Sequence, residues 1–251
     1  MKRRTALVVF AGMLGLAGPA AADETTFCNF FITSLPRVIT TQGHYCFDRN
    51  LSTAMTSGNA ITIAVDFVVL DLNNFKLGGG SAGLGTDANG IAADSRSNIT
   101  IRNGNIRGFR SGIEIIGGTN ILIENNALDG NTQVGLLATT GTVVVRNNVV
   151  TNTGGTTLGG YPYGIFASGY DTALVRDNVV SNVFSDTYGV FGIRTNGGIT
   201  DHNLIKLGSA ASDKFGIAGS YNRDNTVLGA TDASYAFWFS YGQIGHNFSN
   251  P

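Results

Sequence analysis

Arg194 stands between aromatic residues at a phase that recurs along the chain, and that spacing is the first chemistry the sequence offers. Strand alternation puts Thr62, Ala92, Glu114, Leu137, Phe166, Arg194, Ala218 and Trp238 on one outward row, with residues such as Ile113, Ile115, Ile165 and Phe239 turned inward. A row holding Phe166, Arg194 and Trp238 offers apolar faces for sugar rings and a cation for a sugar carboxylate. Phe166, Trp238, Tyr163 and Glu114 are therefore the candidate substrate-binding residues. β-Elimination from a uronic acid requires a cation to neutralise the carboxylate and a base to take the proton at C5. Arg194, Tyr188 and Lys214 form the candidate catalytic set, with Tyr163 as a further proton-transfer group. Arginine is itself a poor base. Hydrolysis instead asks for two carboxylates about 5 to 9.5 Å apart, and Asp186 and Asp213 are the pair that neighbouring loops supply.

What must position these residues is a repeat. The unit reads Gly-Ile/Leu-x-apolar, a polar turn, a short alternating run, then Asn-Asn and another apolar pair, most plainly over residues 112–126 and 135–148. Its starts fall at Ala60, Gly90, Gly112, Gly135, Gly164, Gly192, Gly216 and Ala236, with intervals of 30, 22, 23, 29, 28, 24 and 20 residues. A unit this small cannot bury its own apolar face, so the repeats stack as a solenoid. The two longer intervals place insertions at 153–162 and 184–190, which bring Tyr161, Tyr163, Asp186 and Tyr188 to the side of the outward row. Long loops on one face of a solenoid mark a binding face.

Composition fits short strands rather than helices: 35 Gly, 4 Lys, 4 Pro and 13 % charged residues, with Val, Ile, Thr and Asn abundant. Residues 1–22 read as a signal peptide, with Lys2, Arg3 and Arg4 ahead of a short apolar run and Ala20-Ala21-Ala22 at the cleavage point. Export to the periplasm or beyond follows, and no later stretch is apolar enough for a membrane helix. Without the leader the net charge is 4 negative, which argues against a nucleic-acid surface. Cys28 and Cys46 then meet an oxidising compartment and are expected to pair, stabilising the fold by roughly 3 kcal/mol. Two cysteines without a nearby His pair make a poor metal site.

Residues 23–58 do not repeat and read as an N-terminal cap, with strands at 38–40 and 45–47 about a turn at Gln42-Gly43. The solenoid proper occupies 59–251. Its second strands fall at 99–102, 121–124, 143–146, 173–176 and 198–201, each followed by a pair: Asn103-Gly104, Asn125-Asn126, Asn147-Asn148, Asp177-Asn178 and His202-Asn203. Gly or Asn at the second place suggests a left-handed turn residue there, and Asn at the first place suggests a stacked amide ladder. His202 reads as a member of that ladder rather than as a base. Arg102, Glu124, Arg146, Arg176 and Asp201 form a second outward row whose mixed signs suggest surface pairing.

A Gly-Ile strand, a second strand, an Asn turn and a third short strand per rung, behind a signal peptide, resemble the right-handed parallel β-helix of the pectate-lyase-like superfamily over roughly residues 59–245. The resemblance implies an all-β, single-stranded right-handed parallel β-helix of about eight rungs with an N-terminal cap. It also implies a groove on the outer face of the first strand where acidic polysaccharides are bound, eliminated, hydrolysed or epimerised. The superfamily's hydrolase signatures, Asn-Thr-Asp, Asp-Asp, Gly-His-Gly and Arg-Ile-Lys, are absent, as is the Asp-Pro-His-Asp of alginate epimerases. Calcium, which superfamily lyases hold on clustered acids, meets only Glu114 in this row, so no cofactor is expected. Two functions remain at this level: a polysaccharide-binding protein with lyase-type chemistry, or a non-catalytic envelope or surface interaction module.

Overall fold

Strands in this chain are short because alternation lasts only a few residues before Asn or Gly turns the backbone. The computed structural model describes residues 27–169, 172–238, 242–244 and 246–250, so the signal peptide expected at 1–22 and Phe239 lie outside it. Three parallel sheets of ten, nine and nine strands are present among the described residues. One rung shows the rule: Ser111–Ile116 joins the first-strand sheet, Ile121–Glu124 the second, Ala127–Asp129 the third, and Val134–Thr139 returns to the first one rung on. This is a right-handed parallel β-helix. Its only helices among the described residues are a 3-10 turn at Gly80–Ala82 and one α-turn at Ala233–Ala236.

The interior is built from in-register columns. Ile91, Ile113, Leu136, Ile165, Ile193 and Ile217 follow one another across the first-strand sheet, and each is fully buried. Each side chain packs on its equivalents above and below, so a single rung contributes little by itself and the stack is cooperative.

Residues expected as a separate cap extend the same sheets. Phe30–Ile32 pairs with Gly43–Phe47, Arg37–Ile39 with Ser57–Ile63, and Leu51–Ser52 with Lys76–Gly78, all parallel. The strands on either side of Gln42-Gly43 therefore lie in different sheets and do not pair with each other. Cys28 and Cys46 form a disulfide with Cα atoms 5.7 Å apart, tying the chain start to the second-strand sheet.

The turn after each second strand corrects the sequence reading. The left-handed residue is the first of the pair: Asn103, Asn125, Asn147, Asp177, His202 and Asp224 have φ between 50° and 57°. The ladder is the second: Asn126, Asn148, Asn178, Asn203 and Asn225 are buried; Asn126 Oδ1 accepts from Gly104 N, and the side-chain oxygen of each of the other four accepts from the backbone N–H and side-chain amide of the asparagine one rung before. His202 is accordingly an exposed turn residue, outside the ladder.

On the second-strand sheet, Asp71, Arg102, Glu124, Arg146, Arg176, Asp201 and Arg223 stand in one register column. Arg102 bonds Asp71 at 2.8 Å, Arg146 meets Glu124 at 2.7 Å, and Arg223 holds both oxygens of Asp201. The hydrogen bonds from Arg223 hold the Asp201 carboxyl below its ordinary range; burial pushes the other way, and His202 adds to the lowering. A carboxyl lowered on folding stabilises fully above its unfolded pKa and loses that contribution as pH falls through the lower folded value. Urea midpoints of the purified protein should therefore fall below the ordinary carboxylate range, and Asp201→Asn should flatten part of that acid limb. An unchanged acid limb in Asp201→Asn would remove the pair from the account.

Candidate functional site

The first-strand sheet carries two outward columns. One runs Thr62, Ala92, Glu114, Leu137, Phe166, Arg194, Ala218, Trp238 in continuous register. The other, three residues earlier on each strand, runs Asn59, Asn89, Ser111, Val134, Tyr163, Phe191, Phe215. Alternation slips by one at the glycine between them, which leaves both columns on the outer face.

The two columns divide the face by chemistry. Toward the chain start it is polar: the Asn89 amide donates to Glu114 Oε1 at 3.1 Å and to Asn59 at 3.2 Å, and Ser111 Oγ donates to Glu114 Oε2 at 2.9 Å. Toward the chain end it is aromatic. Tyr163 stacks on Phe166 at 5.4 Å and on Phe191 at 5.1 Å, Phe191 on Phe215 at 4.6 Å, and Trp238 meets Phe215 at 4.5 Å. Phe191 and Phe215 are 5 % and 8 % exposed, covered by Tyr163, Tyr235 and Trp238. Tyr163, Phe166, Arg194 and Trp238 are half-buried and form the accessible surface of this strip.

Arg194 is the cation of the strip. Its Cζ lies 5.8, 5.4 and 5.5 Å from the ring centres of Tyr163, Phe166 and Phe191, and Nη1 donates to Tyr163 Oη at 3.1 Å. Cation–π contacts of this kind hold a guanidinium in place while leaving donors unspent. Among the described residues no carboxylate pairs with it.

The residues expected to work with Arg194 separate into near and far. Tyr163 touches it. Lys214 opens its strand opposite Val190, four residues before Arg194, or about 13 Å along the strand. Tyr188 lies farther back, its ring 5.5 Å from Tyr161 on the loop corner. Glu114 is three rungs away in the same column, about 14 Å. The set Arg194, Tyr188 and Lys214 is thus not brought together, because positions along one strand direction stay apart however the rungs stack.

The family comparison covers this face. NosD, described as periplasmic copper-binding protein, matches residues 44–230. The chain belongs to the NosD family. The NosD match takes in Tyr163, Phe166, Arg194 and Phe215 and ends before Trp238. The periplasmic description agrees with the secreted or periplasmic location expected from the sequence. Comparison with curated proteins finds no match. Among solved structures, the Dettilon tailspike protein is similar at 14 % identity and a TM-score of 0.44, over 87 % of this chain and 60 % of its own.

The aromatic second column, Phe191 and Phe215 with Tyr235, is the part that strand sorting missed. Its signal was present as an aromatic-glycine dipeptide recurring at Tyr163-Gly164, Phe191-Gly192 and Phe215-Gly216.

Proposed function

We propose that this protein binds an acidic polysaccharide along the outer face of its first-strand sheet. Arg194 carries the reading: a guanidinium held by three rings and one phenol, with donors left for a carboxylate and no acid paired with it among the described residues. On the second-strand sheet Arg102, Arg146 and Arg223 are spent on Asp71, Glu124 and Asp201, and Arg176 meets Asp177, whereas the donors of Arg194 face the aromatic strip. Phe166 and Trp238 flank it with faces on which sugar rings stack.

The finer reading is β-elimination from a uronate. In it Arg194 neutralises the carboxylate, Tyr163 Oη takes the C5 proton, the C4–O bond breaks as the C4–C5 double bond forms, and the proton passes to the departing oxygen. A non-catalytic module is the second reading, supported by the burial of Phe191 and Phe215 as a satellite core under the strip. Trp238 is the single tryptophan, so its fluorescence reads glycan binding at the strip while ultraviolet absorbance reads unsaturated product. Polygalacturonate, alginate and glycosaminoglycans are the probes. Arg194→Gln is expected to weaken binding by about 10- to 100-fold, the size of a lost charge-assisted contact. Binding without product makes the protein a binding module; undiminished binding in Arg194→Gln, or no binding of any acidic glycan, ends the proposal.

The family's description raises copper, and the described donors do not fit it. Both cysteines are in the disulfide, Met55 is the only thioether among the described residues, and no two of their imidazoles fall in one metal-sized cluster. Copper favours thiolate, thioether or several imidazoles. Two clusters among the described residues hold an imidazole: Cys28, His44 and Cys46, whose sulfurs are tied in the disulfide, and Asp201, His202 and Asp224, with His202 Nδ1 at 2.6 Å from Asp201 and Nε2 at 3.8 Å from Asp224. Arg223 already occupies both oxygens of Asp201, so an ion there would displace one cation and sit beside it. The arrangement is an ion-pair network of the turn.

A further inference from the structure

Where the third strands return to the first, the rungs carry their longest loops, and three of these meet. The loop holding Leu84 reaches the loop at 155–162, where Thr157 N donates to Leu84 O at 3.3 Å. The segment Ser185, Asp186, Thr187 and Tyr188 closes the third side. Between them lies a cavity of about 450 Å³, lined also by Gly155, Thr156, Gly159, Gly160 and Pro162. That volume is in the range of sites for small molecules and is larger than a packing defect.

The walls are held by their own hydrogen bonds. Ser185 Oγ accepts from the N–H groups of Thr187 and Tyr188 at 3.2 and 3.0 Å, Thr156 Oγ1 accepts from Leu158 N at 3.2 Å, and Gln133 Nε2 donates to Gly159 O at 3.0 Å. The Ser185 and Thr156 hydroxyls spend acceptor capacity on the loops and keep their O–H protons for a ligand. Asp186 has no hydrogen-bond or ion-pair partner among the described residues, and no cation lines the cavity. An anionic ligand would meet an uncompensated carboxylate, whereas a carboxylate accepts well from vicinal hydroxyls. Tyr188 supplies a ring face, and its contact with Tyr161 at 5.5 Å, with Tyr161 on Phe191 at 6.0 Å, joins the cavity to the aromatic strip.

We propose that this loop cavity is a second carbohydrate subsite, one for a neutral, hydroxyl-rich sugar unit. Asp186 and the loop hydroxyls exchange hydrogen bonds with its hydroxyl groups and Tyr188 stacks on its ring. The proposal rests on the glycan reading of the Arg194 strip only for its corollary: a glycan spanning both places carries neutral and acidic units rather than uronate throughout.

The test uses the mature protein and two kinds of probe in separate calorimetric titrations: neutral pentasaccharides of glucose, mannose and galactose, and trigalacturonate. At least one neutral pentasaccharide is expected to bind, with affinity falling at least tenfold in Asp186→Asn and in Tyr188→Ala. Both residues are exposed, so folding of the variants is checked by circular dichroism and a variant that misfolds is replaced by Thr187→Val. Failure of every neutral probe to bind, or binding that neither substitution weakens, overturns the subsite. Neutral binding with no trigalacturonate binding leaves the subsite standing and brings down the acidic-glycan reading of the strip. Trigalacturonate binding with no neutral binding does the reverse.

Discussion

Asn148→Ala should cost about 4 kcal/mol of stability, near the top of the range for a single substitution. Asn148 is fully buried and its amide is used on every side. Its oxygen accepts from Asn126 N at 3.0 Å and Asn126 Nδ2 at 3.1 Å. Its nitrogen donates to Ile123 O at 3.0 Å, Arg146 O at 2.9 Å and Asn178 Oδ1 at 3.1 Å. Removing it strands several buried main-chain groups at once, each costing about 1 to 3 kcal/mol, and opens a polar void with no apolar compensation. Asn148→Asp should be at least as harmful near neutral pH, because it keeps the acceptors, loses the donor and buries a charge among main-chain and amide partners. Urea unfolding followed by circular dichroism measures both. A loss below about 1 kcal/mol for Asn148→Ala would mean that the ladder decorates the turn without holding it.

The ladder also shows how far the sequence could be read. Rung phase, strand positions and the two outward rows were legible, because alternation and the glycine starts are long-range regularities that no single residue can blur. The roles of the two turn places were assigned in reverse, since asparagine suits both a left-handed turn and an amide ladder. The discriminating signal was in the sequence: the first place admits Asp177, His202 and Asp224, which tolerate positive φ, while the second keeps an amide at Asn126, Asn148, Asn178, Asn203 and Asn225. An amide both accepts and donates along the stack, which an ionised carboxylate cannot do.

The candidate site was legible in one dimension and not in the other. Phe166, Arg194 and Trp238 fall in one column as their spacing requires. Tyr188 and Lys214 share the side of the solenoid that carries Arg194, yet Lys214 pairs with Val190, four strand residues before Arg194, and Tyr188 lies on the loop ahead of that strand. The Tyr163 contact depends on the slip in alternation at Gly164, which a strict period of two conceals.

That glycine carries the second large effect. Gly164→Ala should destabilise the fold by about 3 kcal/mol, the upper end for overpacking, and should also disable the strip. A Cβ at Gly164 would stand 2.4 Å from Val180 Cγ1 and 2.6 Å from the Gly192 carbonyl oxygen. The second contact is with backbone, which cannot rotate away, and the same approach recurs down the column: a Cβ at Gly135 would meet Gly164 O at 2.5 Å, and one at Gly192 would meet Gly216 O at 2.7 Å. The requirement here is space, since the backbone at Gly164 is not left-handed. Relief demands that Tyr163–Ser168 move away from Val190–Thr195, which parts Tyr163 and Phe166 from Phe191 and Arg194. Gly80 is the matched control: a Cβ there meets nothing within 4 Å and the residue does not have positive φ, so Gly80→Ala should fall within about 0.5 kcal/mol of the parent. Under conditions where both variants remain folded, Gly164→Ala should alter Trp238 emission and weaken acidic-glycan binding while Gly80→Ala does neither. Equal stability and equal binding in the two variants would show that the rungs can spread without disturbing the strip, and the close glycine column would then lose its place in the account of the site.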